Sequence, residues 1–249
     1  MSKILSIIII SILIPFSLFA NNEDAFEKGN ELYNEANYEQ AIQLYNSLLN
    51  NNIESAAIYY NIGNAYFKLD NIPKALLYFE KAKKIEPNNA DIIYNIELAN
   101  TRIADKIETV PEFFLRTLYV EIRNSLNEAQ WTTVNIGLLL VFLTFVIMFF
   151  TMNNKRQLWL SMAMVFLILT FISGLIGYKS YKEKVNHNTA IVFTPTIDIK
   201  SAPDTKSSTI FILHQGTKVE LLEKSSKWQK IRIASGSEGW LELDNLEKI

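Results

Sequence analysis

The strongest constraint on the fold is a short phrase that recurs at a fixed interval. Tyr60-Asn61-Ile62 returns as Tyr94-Asn95-Ile96, 34 residues later. A period of this length is typical of arrays in which each unit buries its apolar face only by stacking on its neighbours. Further pairs share the interval, and all of them are small or aromatic: Gly29 and Gly63, Ala41 and Ala75, and Tyr45 and Phe79.

The middle unit carries a complete pattern of large and small side chains. A large, an aliphatic, a small, an aromatic, a small, an aromatic, a small and a proline residue follow one another at Tyr59, Ile62, Gly63, Tyr66, Ala75, Phe79, Ala82 and Pro87. This pattern resembles the tetratricopeptide repeat. The resemblance implies an all-α solenoid of helix-turn-helix units at residues 22–55 and 56–89, followed by a capping helix at 90–108.

The flanking units match the pattern less fully. Ala25 and Leu48 depart from it in the first unit, and Glu97 stands in the third unit where a glycine is expected. In the middle unit, the small residues Gly63 and Ala75 are expected to let two antiparallel helices approach closely. The third unit is therefore interpreted as a single helix that closes the stack.

The resemblance also implies a concave face lined by the first helix of each unit. Aromatic rings there would offer contact area and amides would offer hydrogen bonds, which suits an extended peptide. The alternative is that these side chains pack against neighbouring segments of the same chain. The matching positions are mostly aromatic, so a basic clamp for a terminal carboxylate is not expected. The predicted groove residues are Phe26, Asn30, Tyr33, Tyr60, Asn61, Asn64, Phe67, Lys68, Tyr94, Asn95 and Arg102.

The N-terminus has the pattern of a secretory signal. Lys3 precedes a charge-free apolar run over residues 4–20, and Ala20 is followed by polar residues. This order predicts a signal peptide at residues 1–20. An uncleaved anchor is the alternative, because the run is long and Leu18 is large for its place before the cleavage point.

Two further apolar segments are long enough to cross a bilayer, which takes about 20 residues. They predict transmembrane helices at 131–152 and 158–178, joined by a loop at 153–157, and a pair of buried core helices is the alternative. Export by the signal would place this loop in the cytoplasm, where its Lys155 and Arg156 are favoured. Both soluble parts would then lie on the exported side, although the lysines that follow the second span oppose that orientation.

Two segments flank this pair of spans. Residues 110–130 have apolar side chains at helical spacing with charges between them, which predicts an amphipathic helix on the bilayer or against the repeats. Residues 179–188 are interpreted as a polar linker.

From residue 189 the pattern changes to short apolar runs separated by turn residues, which predicts a small all-β barrel over 189–249. The stretches 199–203, 216–219, 228–232 and 239–241 resemble a bacterial SH3-like domain. Trp228 and Trp240 are candidates for its ligand surface, with core positions as the alternative.

Composition excludes several classes of function. The chain has no cysteine, two histidines and a net charge of −2. It therefore has no thiolate nucleophile and no strongly basic surface for nucleic acid. The histidines lack metal-ligand spacing, and no phosphate-binding glycine loop or nucleophile elbow is present. We expect a multidomain membrane protein that is not an enzyme and that needs neither metal nor cofactor.

The order of the parts is itself distinctive: exported repeats, a Pro-Glu-Phe-Phe connector at 111–114, a two-span hairpin and an SH3-like tail. Together with residues 93–99 and 199–203, it resembles the BatE-like branch of the aerotolerance-operon (Bat) family. The resemblance implies a periplasm-facing scaffold in the inner membrane, whose partners are von Willebrand A-domain membrane proteins and a MoxR-type ATPase, linked to oxidative stress tolerance and envelope integrity. The rival interpretation is a module that binds the cell wall, or regulates a wall enzyme, through its SH3-like domain.

Overall fold

A computed structural model describes residues 23–107, 114–152, 154–185 and 188–249. The signal peptide predicted at 1–20 and the start of the connector lie outside the described residues. The chain divides into two compact units. One joins the N-terminal helices to Asn188–Ile249, and the other contains Pro111–His187.

Five helices form the N-terminal part of the first unit, and their ends are set by local signals. The side chain of Ser55 accepts a hydrogen bond from the backbone of Ile58, and Asn71 and Asn89 accept similar bonds from the first turns that follow them. Such caps satisfy N–H groups that have no partner within the helix. The helices are α1 (23–34), α2 (Tyr38–Asn50), α3 (Ala56–Lys68), α4 (Ile72–Ile85) and α5 (Ala90–Asn100).

The helices of each unit pack through a glycine against a buried ring. A Cβ at Gly63 would lie 2.5 Å from a ring carbon of Phe79, and a Cβ at Gly29 would lie 2.5 Å from a ring carbon of Tyr45. Both rings are fully buried. The pairs that recur at the 34-residue interval are therefore the points of closest approach between helices.

The C-terminal part of the first unit is an antiparallel sheet, as predicted for the SH3-like domain. Seven strands lie in the order β3-β2-β6-β5-β4-β1-β7. Ala190, Val192, Ile199, Ile231 and Leu241 are in its core. The strands are β1 (Thr189–Val192), β2 (Thr196–Lys200), β3 (Thr209–His214), β4 (Lys218–Ser225), β5 (Trp228–Arg232), β6 (Glu238–Glu242) and β7 (Leu246–Lys248).

Helices and sheet share one apolar core. Ile191 and Ile249, from the sheet, belong to the same buried cluster as Leu76 and Ala82 of α4. At Gly216, in the turn before β4, an added Cβ would lie 2.5 Å from a side-chain carbon of Ile103. The sheet thus covers an apolar face of α4 that would otherwise require a further helix of the array.

Polar contacts also connect the helices to the sheet, and we call this region of contact, around Asp105 and Glu80, the joint. One carboxylate oxygen of Asp105 accepts hydrogen bonds from the Thr217 hydroxyl at 2.6 Å and from the His214 backbone N–H at 2.7 Å. The other lies 2.6 Å from Nδ1 of His214. Nearby, the ammonium group of Lys218 donates to buried Glu80 at 2.7 Å. The repeats and the sheet therefore form one folded unit.

The second unit consists of α6 (Phe114–Asn124), α7 (Glu128–Thr151) and α8 (Arg156–Val185). Its two candidate membrane spans, by length and composition, are Ala129–Thr151 and Arg156–Lys182. The helix α8 runs on to Val185, through most of the segment that the sequence suggested as a linker.

The two long helices are joined by a polar contact amid apolar residues. The amide of Asn135 donates to the backbone carbonyl of Thr170 at 2.7 Å and to the hydroxyl of Ser173 at 2.8 Å. Four residues after Ser173, a Cβ at Gly177 would approach the Cβ of Trp131 to 3.2 Å. Small residues at this spacing allow close packing of membrane helices.

Candidate functional site

The first helices of the repeats, α1, α3 and α5, carry all the predicted groove residues except Arg102, which follows α5. Their asparagines are linked from helix to helix. The amide of Asn61 donates to the carbonyl oxygen of Asn30 at 2.8 Å, and the amide of Asn95 donates to that of Asn64 at 2.8 Å. We call these four residues the asparagine ladder. It connects the three helices through side chains of one type.

Tyrosines at both ends of the ladder complete its hydrogen bonds. The hydroxyl of Tyr45 donates to Asn30 at 2.7 Å, and the hydroxyl of Tyr60 accepts from Asn95 at 3.0 Å. Burial raises the pKa of Tyr45 to about 12, so this phenol remains protonated and acts as a donor at neutral pH. At its Asn30 end, the ladder is therefore oriented by a donor that stays protonated.

The aromatic members of the groove differ in how firmly they are held. The ring of Phe26 lies 5.9 Å from that of Tyr45, and the ring of Tyr60 lies 5.9 Å from that of Phe79. Tyr33 packs edge-on against Tyr38, with burial as the largest cause of its raised pKa. Tyr94, by contrast, is 63% exposed. The residues predicted for the groove therefore include rings that pack against other rings and one ring that is open to solvent.

The two basic residues among those predicted for the groove lie near the end of α3. Arg102 pairs with Asp70 at 2.7 Å, and its guanidinium lies 5.2 Å from the centre of the Phe67 ring. Lys68 is exposed beside them. Because Arg102 is already paired with a carboxylate, it is not poised as a free cation.

Of the two tryptophans proposed for the SH3-like surface, one lies inside. Trp228 is only 7% exposed, which matches the core alternative. Trp240 is half-buried and pairs across the sheet with Lys200 and Lys230. Trp240 is thus the better placed of the two to contact a ligand.

Sequence reasoning missed the residues of the joint. Asp105 shows no recurrence and belongs to no motif. Thr217 lies in a motif stretch, 216–219, that did not indicate this contact, and the two residues are 112 positions apart. One residue of the sequence did hint at this contact between the repeats and the sheet. Glu80 is acidic, yet it directly follows Phe79 on a face of α4 that is otherwise apolar. Among the described residues, no three His, Asp or Glu side chains are grouped to hold a metal ion.

Comparison with known families identifies two parts of the chain. A model of the tetratricopeptide repeat matches residues 56–89, and a model of the bacterial SH3 domain matches residues 195–247. The middle unit and the C-terminal sheet are the parts in which the sequence patterns were most complete.

Similar proteins share only a short stretch with the chain. Sperm-associated antigen 1 of Rattus norvegicus is 36% identical over 86 residues, which are 34% of this chain and 10% of that protein. The Hsp70-Hsp90 organizing protein of Triticum aestivum is 36% identical over 61 residues, which are 24% of this chain and 10% of that protein. The chain thus spans about a tenth of the length of these relatives.

Proposed function

We propose that this chain is a non-catalytic, membrane-anchored adaptor whose concave repeat face holds a protein partner. The observation that carries the proposal is the asparagine ladder flanked by aromatic rings. Tetratricopeptide repeats are interaction modules, and one similar protein is named as an organizer of two other proteins. Both matched families are typically non-catalytic.

An extended segment of a partner fits this surface best. Within the described residues, the side-chain amide oxygens of Asn61 and Asn95 receive no hydrogen bond, so each can accept one from a peptide N–H. The rings of Phe26, Tyr33 and Tyr94 supply apolar area beside these acceptors. Hydrogen bonds to a peptide backbone give affinity, and the side-chain pockets between rings give specificity.

Packing within the chain remains the competing role for the same residues. The ladder bonds are internal, so they stabilise the stack whether or not a partner binds. The two roles are compatible, because an amide held by one neighbour is already oriented for another. Preorganisation of this kind reduces the entropy lost on binding.

The proposal includes anchoring by the hairpin α7–α8 in the inner membrane, with repeats and sheet in the periplasm. The joint between repeats and sheet supports it, because two parts that form one folded unit must lie on the same side of a membrane. The two spans α7 and α8 meet this condition, because an even number of crossings returns the chain to the side from which it started. The signal-like N-terminus and the Bat-like order of domains further favour a complex with von Willebrand A-domain proteins that supports oxidative stress tolerance and envelope integrity.

The test is co-purification from native membranes in mild detergent, with the partners identified by mass spectrometry. We expect von Willebrand A-domain membrane proteins with the wild type, and their loss with Tyr60→Ala combined with Asn64→Ala. Asn50→Ala, at an exposed position of α2, is the matched control. Retention of every partner by the double variant, with an unchanged circular dichroism spectrum, would refute binding through this face.

The proposed membrane topology is tested by a separate experiment. A reporter fused within the loop at 153–157 is expected to be active only as a cytoplasmic reporter, and one at the C-terminus only as a periplasmic reporter. A periplasmic loop signal would contradict the proposed orientation while leaving the adaptor role open.

A second candidate function is cell-wall binding through the SH3-like sheet. The observations in its favour are the bacterial SH3 match, half-buried Trp240, and two exposed isoleucines on β3, Ile210 and Ile212. If full-length protein sediments with purified peptidoglycan and Trp240→Ala does not, this function gains over the adaptor. Sedimentation that is independent of Trp240 would count against it.

A further inference from the structure

The helix α6 presents an apolar stripe whose side chains are exposed. Phe114, Leu118 and Ile122 recur every four residues, with Leu115 and Tyr119 beside them. All five side chains are between 38% and 66% exposed. Residues three and four apart lie on one side of a helix, so the five form a single surface along its length.

The position of α6 is tied to the ends of the two candidate spans. Its last turn is bonded to the start of α7, since the indole N–H of Trp131 donates to the backbone carbonyl of Arg123 at 3.0 Å. Trp131 in turn packs on Gly177, near the end of α8. The helix α6 therefore lies at the level where both candidate spans reach the membrane surface.

Charge is distributed unequally around the stripe. By helical spacing, Arg116 and Arg123 lie next to Tyr119 on one flank, and Glu121 lies on the other flank next to Phe114. Exposed Lys179 and Lys182 follow Gly177 on α8, at the same end of the hairpin. Basic side chains thus border the stripe on one flank, as the polar edge of an interfacial helix often does.

We propose that α6 is an interfacial helix that immerses its apolar stripe at the headgroup boundary of a lipid bilayer. The inference rests on the proposed membrane insertion of α7 and α8. A lipid surface is the occupant because Trp131 connects the last turn of α6 to the ends of both candidate spans, so the stripe lies where those spans would enter the bilayer. Amphipathic helices of this composition lie in the membrane plane, with basic residues reaching toward the headgroups.

The absence of cysteine makes a depth measurement direct. Full-length Leu118→Cys is labelled with an environment-sensitive fluorophore and reconstituted into phosphatidylcholine vesicles containing about one quarter phosphatidylglycerol. We expect blue-shifted emission that is quenched by lipids spin-labelled near the headgroup. Thr117→Cys, exposed on the opposite side of α6, is the matched control and should remain aqueous and unquenched.

A third label separates failure of this inference from failure of membrane insertion. Leu140→Cys, in the middle of α7, should be quenched by lipids spin-labelled deep in the acyl chain if the hairpin spans the bilayer. Quenching at residue 140 with an aqueous label at residue 118 would overturn the interfacial helix alone. A blue-shifted label at residue 118 that no lipid quenches would also overturn it, since protein would then cover the stripe. No quenching at residue 140 would overturn the insertion on which it rests.

Discussion

Gly29 and Gly63 lie where the two helices of each unit come closest, and each faces a buried aromatic ring. The distance from an added Cβ to the ring is 2.5 Å in both cases. The ring of Phe79 cannot retreat, because it is itself fully buried in the core shared with α5. At this scale, the periodic glycine is required by contact across the helix pair.

Gly63→Ala is therefore expected to destabilise the first unit. Overpacking of this kind costs about 1–3 kcal/mol, only partly offset by the better helix propensity of alanine, which is about 1 kcal/mol. The measurement is thermal unfolding of the full chain in detergent by circular dichroism. Gly137→Ala is the control, since nothing lies within 4 Å of its added Cβ. Equal melting temperatures for the two variants would contradict the steric argument.

A second residue-scale feature is the turn inside each unit. Ala36 has φ 61° and Asp70 has φ 59°, and the two are 34 residues apart. A left-handed backbone costs a non-glycine residue roughly 1–2 kcal/mol. The repeat thus preserves a backbone conformation at this position although neither residue is a glycine.

Ala36→Gly is expected to stabilise the chain by about 1 kcal/mol or less, because the relief of strain exceeds the greater entropy of glycine in the unfolded state. Denaturant unfolding of the full chain in detergent measures the change. Asp70→Gly relieves the same strain but removes the partner of Arg102, so its gain should be smaller. Destabilisation by Ala36→Gly would show that the strain argument is wrong.

At the scale of the element, periodicity predicted most of the helices and strands. Spacing of 3.6 and 2 residues is local information, and the strands around Ile199, Ile231 and Leu241 follow it. The short strand β7 was missed because Leu246–Lys248 has a single apolar residue and forms through pairing with β1. The continuation of α8 past residue 178 was missed because charged residues there follow the apolar run.

The pairing of α7 with α8 is an element-scale feature with a polar centre. Asn135→Ala should weaken it by about 0.6–2 kcal/mol, the usual range for a hydrogen bond between membrane helices. An SDS titration of the full chain in mixed micelles, with Ser173→Ala and the double variant, gives the coupling energy. Thr144→Ala is the control, since its hydroxyl bonds only within its own helix. Purely additive effects of Asn135→Ala and Ser173→Ala would mean that the hydroxyl bond contributes nothing.

At the scale of the whole molecule, the first unit is discontinuous in sequence. Residues through 107 fold together with Asn188–Ile249, and the second unit is inserted between them. Sequence reasoning treated the repeats and the sheet as separate domains, because contacts such as Asp105 to His214 leave no periodic trace. The places of Asn30, Asn61, Asn64 and Asn95 on the first helices were easier to predict, since these residues occupy equivalent positions of a repeat. Their ladder of hydrogen bonds was not, because side-chain pairing depends on the stacking geometry.

The joint gives a prediction about pH. Burial alone would raise the pKa of Asp105, but hydrogen bonds from Thr217 and His214 outweigh it and hold the pKa below its ordinary value of 3.8. A carboxylate with a depressed pKa in the folded state stabilises the fold above its unfolded value. That stability is lost as the pH falls below 3.8 and through the folded pKa.

Asp105→Asn should therefore lower the stability of the first unit at neutral pH by about 1–3 kcal/mol, because a charged acceptor of three hydrogen bonds is replaced by a neutral amide. The difference from the wild type should shrink as the pH falls below about 4, because the carboxylate then becomes protonated first in the unfolded chain and, at lower pH, in the folded one. Denaturant unfolding of the full chain in detergent between pH 3 and pH 7 measures it. Thr217→Val, which removes one donor and keeps the carboxylate, should lose less stability and remain pH-dependent. A constant difference between Asp105→Asn and the wild type across this range would show that the charge of Asp105 does not hold the repeats to the sheet.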